Sequence, residues 1–179
     1  IWRPRRGRCW GAVLLLVLAM SGLSGCAAFR EWRRKKVPTV QSLALHQFSR
    51  GDLQGDTRTR IAGNPDGSKR VYIHHLPLLT SQQITHAVVE EADASGRLAI
   101  RFKLDHHGEV VWLQTCRQMP GDPLAVLVDG FYCCSMRVPH GRESFDSFVV
   151  RGPWSQQEAE AIVGHAATNY RNLNPSMYR

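Results

Sequence analysis

An α+β fold, with a mainly antiparallel sheet and helices packed on one face, is what this 179-residue sequence predicts. Three stretches carry that expectation. Leu98, Ile100, Phe102 and Leu104 alternate with Ala99, Arg101 and Lys103, the period of a strand with one buried and one wet face. Leu124-Ala125-Val126-Leu127-Val128 is apolar throughout, as in a central strand covered on both sides, and Asp129-Gly130 then favours a two-residue type I′ hairpin. Ser155 to Tyr170 joins a capping box, Ser155 with Glu158, to an apolar face of Ala159, Ile162, Val163 and Ala166.

The other elements are placed around these. Val71 to Leu76, with β-branched and aromatic residues, reads as the opening strand. Leu79 to Ile84 predicts a short helix, with Thr80 as cap, Gln83 three residues on, and Leu79 stapled to Ile84. Ala87 to Ala92 is strand again, and Ser95-Gly96 turns into the alternating strand. Asp105 caps a second helix with Trp112, Cys116 and Met119 on one face, which Pro120-Gly121 ends. Phe131 to Val138 folds back from the hairpin turn, and Val149 to Arg151 is a last short strand. The nearest simple template is the split βαβ arrangement of ferredoxin-like folds, over residues 70–171, with 172–179 as a tail.

Upstream, the residues specify an address. Residues 1–10 hold four arginines and no acid, and Gly11 to Leu23 is apolar or small. At about 1.5 Å per residue that run is too short for the ~30 Å hydrocarbon core of a membrane. A charged start, a short apolar run and small residues at a cleavage point predict a secretory signal over residues 1–25. Leu23-Ser24-Gly25-Cys26 resembles the lipobox of bacterial lipoproteins. The resemblance implies diacylglycerol on the Cys26 sulfur, cleavage before Cys26, and often palmitate-type acylation of the new amine. Two or three acyl chains, at about 0.8 kcal/mol per buried CH₂, anchor stably. The expected location is the cell envelope, facing the periplasm or exterior, and Ala27 leans towards the outer membrane where there are two.

Residues 26–69 read as a flexible lipidated tether, because no hydrophobic period lasts two turns and Gly51, Gly55 and Gly63–Ser68 are linker-like. Val40 to Phe48 could form one short helix within it. Phe29 and Trp32 interleave with Arg30, Arg33, Arg34, Lys35 and Lys36, either as an interfacial segment or as a solvated charge run. The formal charge is +8, but four of the 23 basic residues precede Cys26, leaving 19 against 15 acids. That balance argues against a nucleic-acid partner.

Chemistry is sparse in this sequence. Cys116, Cys133 and Cys134 are an odd set for an exported chain. Neighbours on a strand point to opposite faces, so only one of Cys133 and Cys134 is expected to meet the helix bearing Cys116. Cys134, with Tyr132 and Met136, is the expected one; it forms either a Cys116–Cys134 disulfide or one of two small buried thiols. Cys133 is then a free exposed thiol. His74-His75 and His106-His107 lack the spacing that converges metal ligands, and no nucleophile arrangement such as G-x-S-x-G occurs. The expectation is therefore no enzyme, no cofactor, no metal and no evident small-molecule substrate.

Four segments in one order carry a second resemblance. They are Leu79-Thr80 with Ile84 and Ala87; Gly96-Arg97 through Leu104-Asp105 to Gly108; Leu124 to Gly130; and Val150, Gly152, Trp154, Ser155 and Glu158-Ala159. Together they resemble the periplasmic head of the first large loop of SecD, a subunit of the bacterial protein-export machinery. The resemblance implies a ferredoxin-like head that handles polypeptide, with no catalytic residue to carry over. Cys134-Ser135-Met136 departs from the family's frequent Ser-Ala-Pro, and SecD's membrane spans have no counterpart in this sequence. The contact surface is expected on the wet sheet face at Arg101 and Lys103, or on the hairpin arm at Phe131 and Tyr132. Three readings stand. One is a lipid-anchored domain that binds polypeptide or docks on an export complex. The others are a thiol- or metal-dependent envelope protein using Cys116, Cys133, Cys134 and nearby histidines, and a purely structural tether.

Overall fold

The computed structural model of the chain describes residues 39–49, 58–90, 97–140 and 145–178. The signal segment, Cys26, the basic cluster after it and the Ser95-Gly96 turn lie outside the described residues. Those described form strands β1 (Leu43–Gln47), β2 (Thr59–Gly63), β3 (Arg70–His74), β4 (Leu79–Thr80), β5 (Ile84–Glu90) and β6 (Ala99–Leu104). Helix α1 (His106–Gln118), strands β7 (Pro123–Val128), β8 (Phe131–Arg137) and β9 (Ser147–Arg151), and helix α2 (Gln156–Leu173) follow. The class is α+β, and the named strand pairs are all antiparallel.

The strands divide among three sheets: four strands in the order β4-β1-β7-β8, three in the order β5-β6-β9, and the separate hairpin β2-β3. On one face of the four-stranded sheet Leu45, Leu124 and Val126 meet Phe102, Trp112, Phe148 and Ile162 in the main core. On its other face Ala125, Leu127 and Tyr132 meet Ala62 and Ile73 of the hairpin. Strand β7 is thus apolar throughout because it is covered twice.

That second layer overturns two expectations. Val40 to Phe48 is not a helix but β1, inserted between β4 and β7. Leu43 and Leu45 serve the main core, while Ala44 and Phe48 pack in the second. Both faces are covered, so the segment shows no clean alternation and is read poorly from pattern alone. Nor are residues 39–69 wholly tether: Thr39–Arg179 is one compact unit, and β1 and β2 belong to it.

The short helix expected at Leu79 to Ile84 is a strand–turn–strand instead. Thr80 donates from its N–H and hydroxyl to Gln83 Oε1, at 2.9 and 3.0 Å, and Gln83 N donates back to Thr80 O at 3.0 Å. Capping-box chemistry closes one turn here, and pairing of Ile84 with Leu104 then draws the chain into β5.

Elsewhere the local grammar holds. Asp105 caps α1, its Oδ1 accepting from Gly108 N at 2.8 Å. Gly108 is needed for close approach, since a Cβ there would lie 2.9 Å from the Gln83 Cβ. Ser155 and Glu158 form the reciprocal box that starts α2. Asp129 and Gly130 have φ of 50° and 87°, the left-handed pair a type I′ turn requires. The tail beyond residue 171 is tied in, with Asn174 Nδ2 donating to Gln82 O at 2.8 Å.

Candidate functional site

Two concave features lie at β8, the arm that returns from the Asp129-Gly130 turn. The first follows from a register shift: Val126 pairs with Cys134, but Leu127 pairs with Tyr132, so Cys133 is the extra residue of a β-bulge. The bulge breaks the face alternation expected for adjacent residues. Cys133 and Cys134 both pack against the main core, whereas Tyr132 belongs to the opposite one. Tyr132 is buried (3% exposed) under Lys69 and Phe48, so of the two expected contact aromatics only Phe131 stands out into solvent.

Cys133 opens into a groove of about 410 Å³, lined also by Asn64, Asp129, Phe131, Trp154 and Glu158. Trp154 Nε1–H donates to Cys133 Sγ at 3.0 Å. The Cys134 S–H donates to the same sulfur, which outweighs burial; with the Trp154 donor it holds the Cys133 thiol down at about 7. That contact and burial push Cys134 upward. No disulfide joins Cys116 to Cys134 in the structure. Among the described residues no three His, Cys, Asp or Glu side chains gather as a metal site. His106 faces Glu109 at 3.8 Å on α1, and His74 offers its carbonyl to His46.

The second feature is a cleft of about 220 Å³ between β8 and β9. Each strand is the outermost of its sheet. Met136, Arg137 and Pro139 form one wall, Ser147, Val149 and Arg151 the other, with Trp112 and Phe148 also lining it. Register tells which backbone groups face it. Asp146 O accepts from Leu104 N at 2.7 Å, and Asp122 O from Val138 N at 2.9 Å. In antiparallel ladders alternate pairs exchange hydrogen bonds, so Ser147, Val149 and Arg151 turn their N–H and C=O groups away from β6. Ser135 and Arg137 likewise turn theirs away from β7. Among the described residues, two unpaired strand edges therefore border one cleft.

Arg101 and Lys103 do occupy the exposed face of the three-stranded sheet. Arg101 is engaged there: it pairs with Glu90 at 2.6 Å and donates to Ser147 Oγ at 3.3 Å. The bulge, the groove wall at Asn64 and the two open edges carry no signature a single sequence displays. The sequence marks Trp154 only through the resemblance.

No protein-family model and no curated protein sequence matches this chain. Among solved structures, a SecDF chain in a super-membrane-facing form superimposes with a TM-score of 0.52 at 17% identity. The match covers 72% of this chain and 19% of that one, so this chain spans about a fifth of that SecDF's length. A second structure, of a membrane component SecDF that enhances protein export, matches with TM-score 0.52 and 17% identity. It covers 79% of this chain and 68% of the other. In its fold, this domain is similar to part of SecDF.

Proposed function

We propose that this chain is a lipid-anchored envelope protein whose domain binds extended polypeptide, either an exported chain or a segment of an export complex. Lipid on Cys26 would hold the domain at the membrane, with the outer membrane favoured where two exist; no helix among the described residues is long and apolar enough to cross one. The carrying observation is the pair of open strand edges on the β8–β9 cleft. Outward N–H and C=O groups repeat every second residue there, and another extended backbone satisfies such a row best. Arg137 and Arg151 on its walls suit acidic flanks. The likeness to SecDF supports the same reading, and nothing in it calls for catalysis. The Arg101–Lys103 face is the less favoured contact surface, because Arg101 is already ion-paired.

A photocrosslinking residue at Val149, in cells, tests both halves. The expected result is polypeptide adducts from position 149, few from position 173 on α2, and loss of both in the Cys26→Ser chain. Equal yields at 149 and 173 would reject the cleft; unchanged yields after Cys26→Ser would reject the anchor.

A further inference from the structure

We propose that Cys133 is a nucleophilic thiol that takes neutral or cationic disulfides in the groove at the Asp129-Gly130 turn by thiol–disulfide exchange. Geometry carries this. The bulge at Val126/Leu127 turns the Cys133 and Cys134 side chains to the same side of β8. Cys133 Sγ thereby accepts from the Trp154 N–H at 3.0 Å, with the Cys134 thiol on the same side of the strand, while Cys133 also borders the groove. Donors aimed at a sulfur stabilise its thiolate, the form that attacks disulfides. At about 7, the Cys133 thiol is near the ionisation at which exchange is fastest at neutral pH.

The groove selects the partner. Its volume of about 410 Å³ lies within the range of small-ligand sites, roughly 300–1,000 Å³. Its charged lining is acidic, the Asp129 and Glu158 carboxylates. Such a wall favours ligands with N–H donors or an ammonium and repels carboxylates. An amine-bearing small disulfide and a disulfide within a basic peptide share this chemistry.

In the step itself, the Cys133 thiolate attacks one sulfur of R–S–S–R. The Cys133–S bond forms, the ligand's S–S bond breaks, and R–S⁻ leaves and takes up the proton Cys133 released. Cys133 is oxidised to the mixed disulfide and one R–S group is reduced, so the ligand is the oxidant. Ring closure between Cys134 and Cys133 is disfavoured, because neighbouring Cα atoms, about 3.8 Å apart, lie closer than the 4.4–6.8 Å usual for disulfides. Its role is to donate.

The test uses the full chain with Cys9→Ser and Cys26→Ser, leaving Cys116, Cys133 and Cys134. The chain is exposed to cystamine, to dithiodiglycolate and to a cystine-containing basic peptide, and adducts are mapped by peptide mass. The expected result is one adduct, at Cys133, with a rate midpoint near pH 7 and cystamine at least tenfold faster than dithiodiglycolate. Peptide reaction at the cystamine rate would identify a peptide site, and reaction of cystamine alone a small-molecule site. Glu158→Gln, which keeps a capping box, should narrow the rate ratio, and Trp154→Phe and Cys134→Ala should each raise the midpoint. Modification at Cys116 or Cys134, a midpoint near the free-cysteine value of about 8.5, or reaction only after unfolding in urea would overturn the proposal. None of these outcomes depends on the β8–β9 cleft binding polypeptide.

Discussion

Ser42 and Asp129 stand 87 positions apart, and the Asp129 carboxylate accepts from the Ser42 N–H at 2.7 Å and from its hydroxyl at 3.0 Å. The same carboxylate accepts from Gln41 N at 3.1 Å, and Asp129 N donates to Ser42 O at 2.8 Å. A hairpin-turn residue thus fastens the entry to β1. Asp129→Asn keeps tolerance of positive φ but loses the charged acceptor; this exposed site should lose about 1 kcal/mol. Asp129→Ala adds left-handed strain of roughly 1–2 kcal/mol. Urea midpoints at unchanged slope measure both.

A chain beginning at Arg70 should not fold. It lacks β1, which pairs with both β4 and β7, and it exposes Ala125 and Leu127 beneath the missing β2. Within the full chain Leu45, fully buried, makes a graded version of the same test. Leu45→Ala should cost about 2–5 kcal/mol, whereas a tether leucine would cost nothing measurable. Thermal unfolding distinguishes them.

Stability should fall in mild acid because of His46. Its Nδ1 faces His74 O at 2.8 Å and its Nε2 faces Arg60 Nη2 at 3.1 Å. The neutral ring with its proton on Nδ1 donates to the carbonyl and accepts from the guanidinium. Burial, opposed by the His74 bond, lowers its pKa below 6.5, with the positive charge of Arg60 and then His75 adding to the effect. The unfolded chain therefore binds the extra proton first as pH falls. The contribution is complete above about pH 6.5 and is lost as pH drops towards the folded-state value. His46→Gln can make both hydrogen bonds without titrating, so urea midpoints between about pH 5 and pH 8 should slope less in that variant.

Proline substitutions separate the two sides of β9. Val149 turns its N–H towards the cleft, so Val149→Pro should keep the fold and abolish strand addition. Val150 faces β6 in the hydrogen-bonded register and is fully buried. Val150→Pro should cost about 3 kcal/mol or more. Circular dichroism melts and crosslinking yield at the cleft read the two effects independently.

The legible part of this molecule was local. Asp105, Ser155 with Glu158, and Asp129-Gly130 determine caps and a turn through contacts within three residues, and all appear as expected. The amphipathic face of α2 and the alternation of β6 from Ile100 to Leu104 were equally plain, although Ala99, expected on the wet face, is buried. Thr80 and Gln83 made the same signal, yet closed a turn, since the ladder from Ile84 to Leu104 competes with a helix there.

The site was least legible. Cys133 and Cys134 should diverge on a regular strand, and the single extra residue opposite Val126 and Leu127 reverses that inference. Asn64 reaches the groove only because β2-β3 folds over β7 and β8.

From the residues alone follow the α+β class, the caps at Asp105 and Ser155, the Asp129-Gly130 turn, and the buried faces of β6 and α2. Tertiary packing decided that β1 and the β2-β3 hairpin belong to the domain, that Tyr132 is core, and that the two cysteines share one side. Caps and periodicity depend on neighbours within a turn or two. Burial on both faces and a one-residue register shift depend on strands far apart in the chain, whose pairing no local pattern encodes.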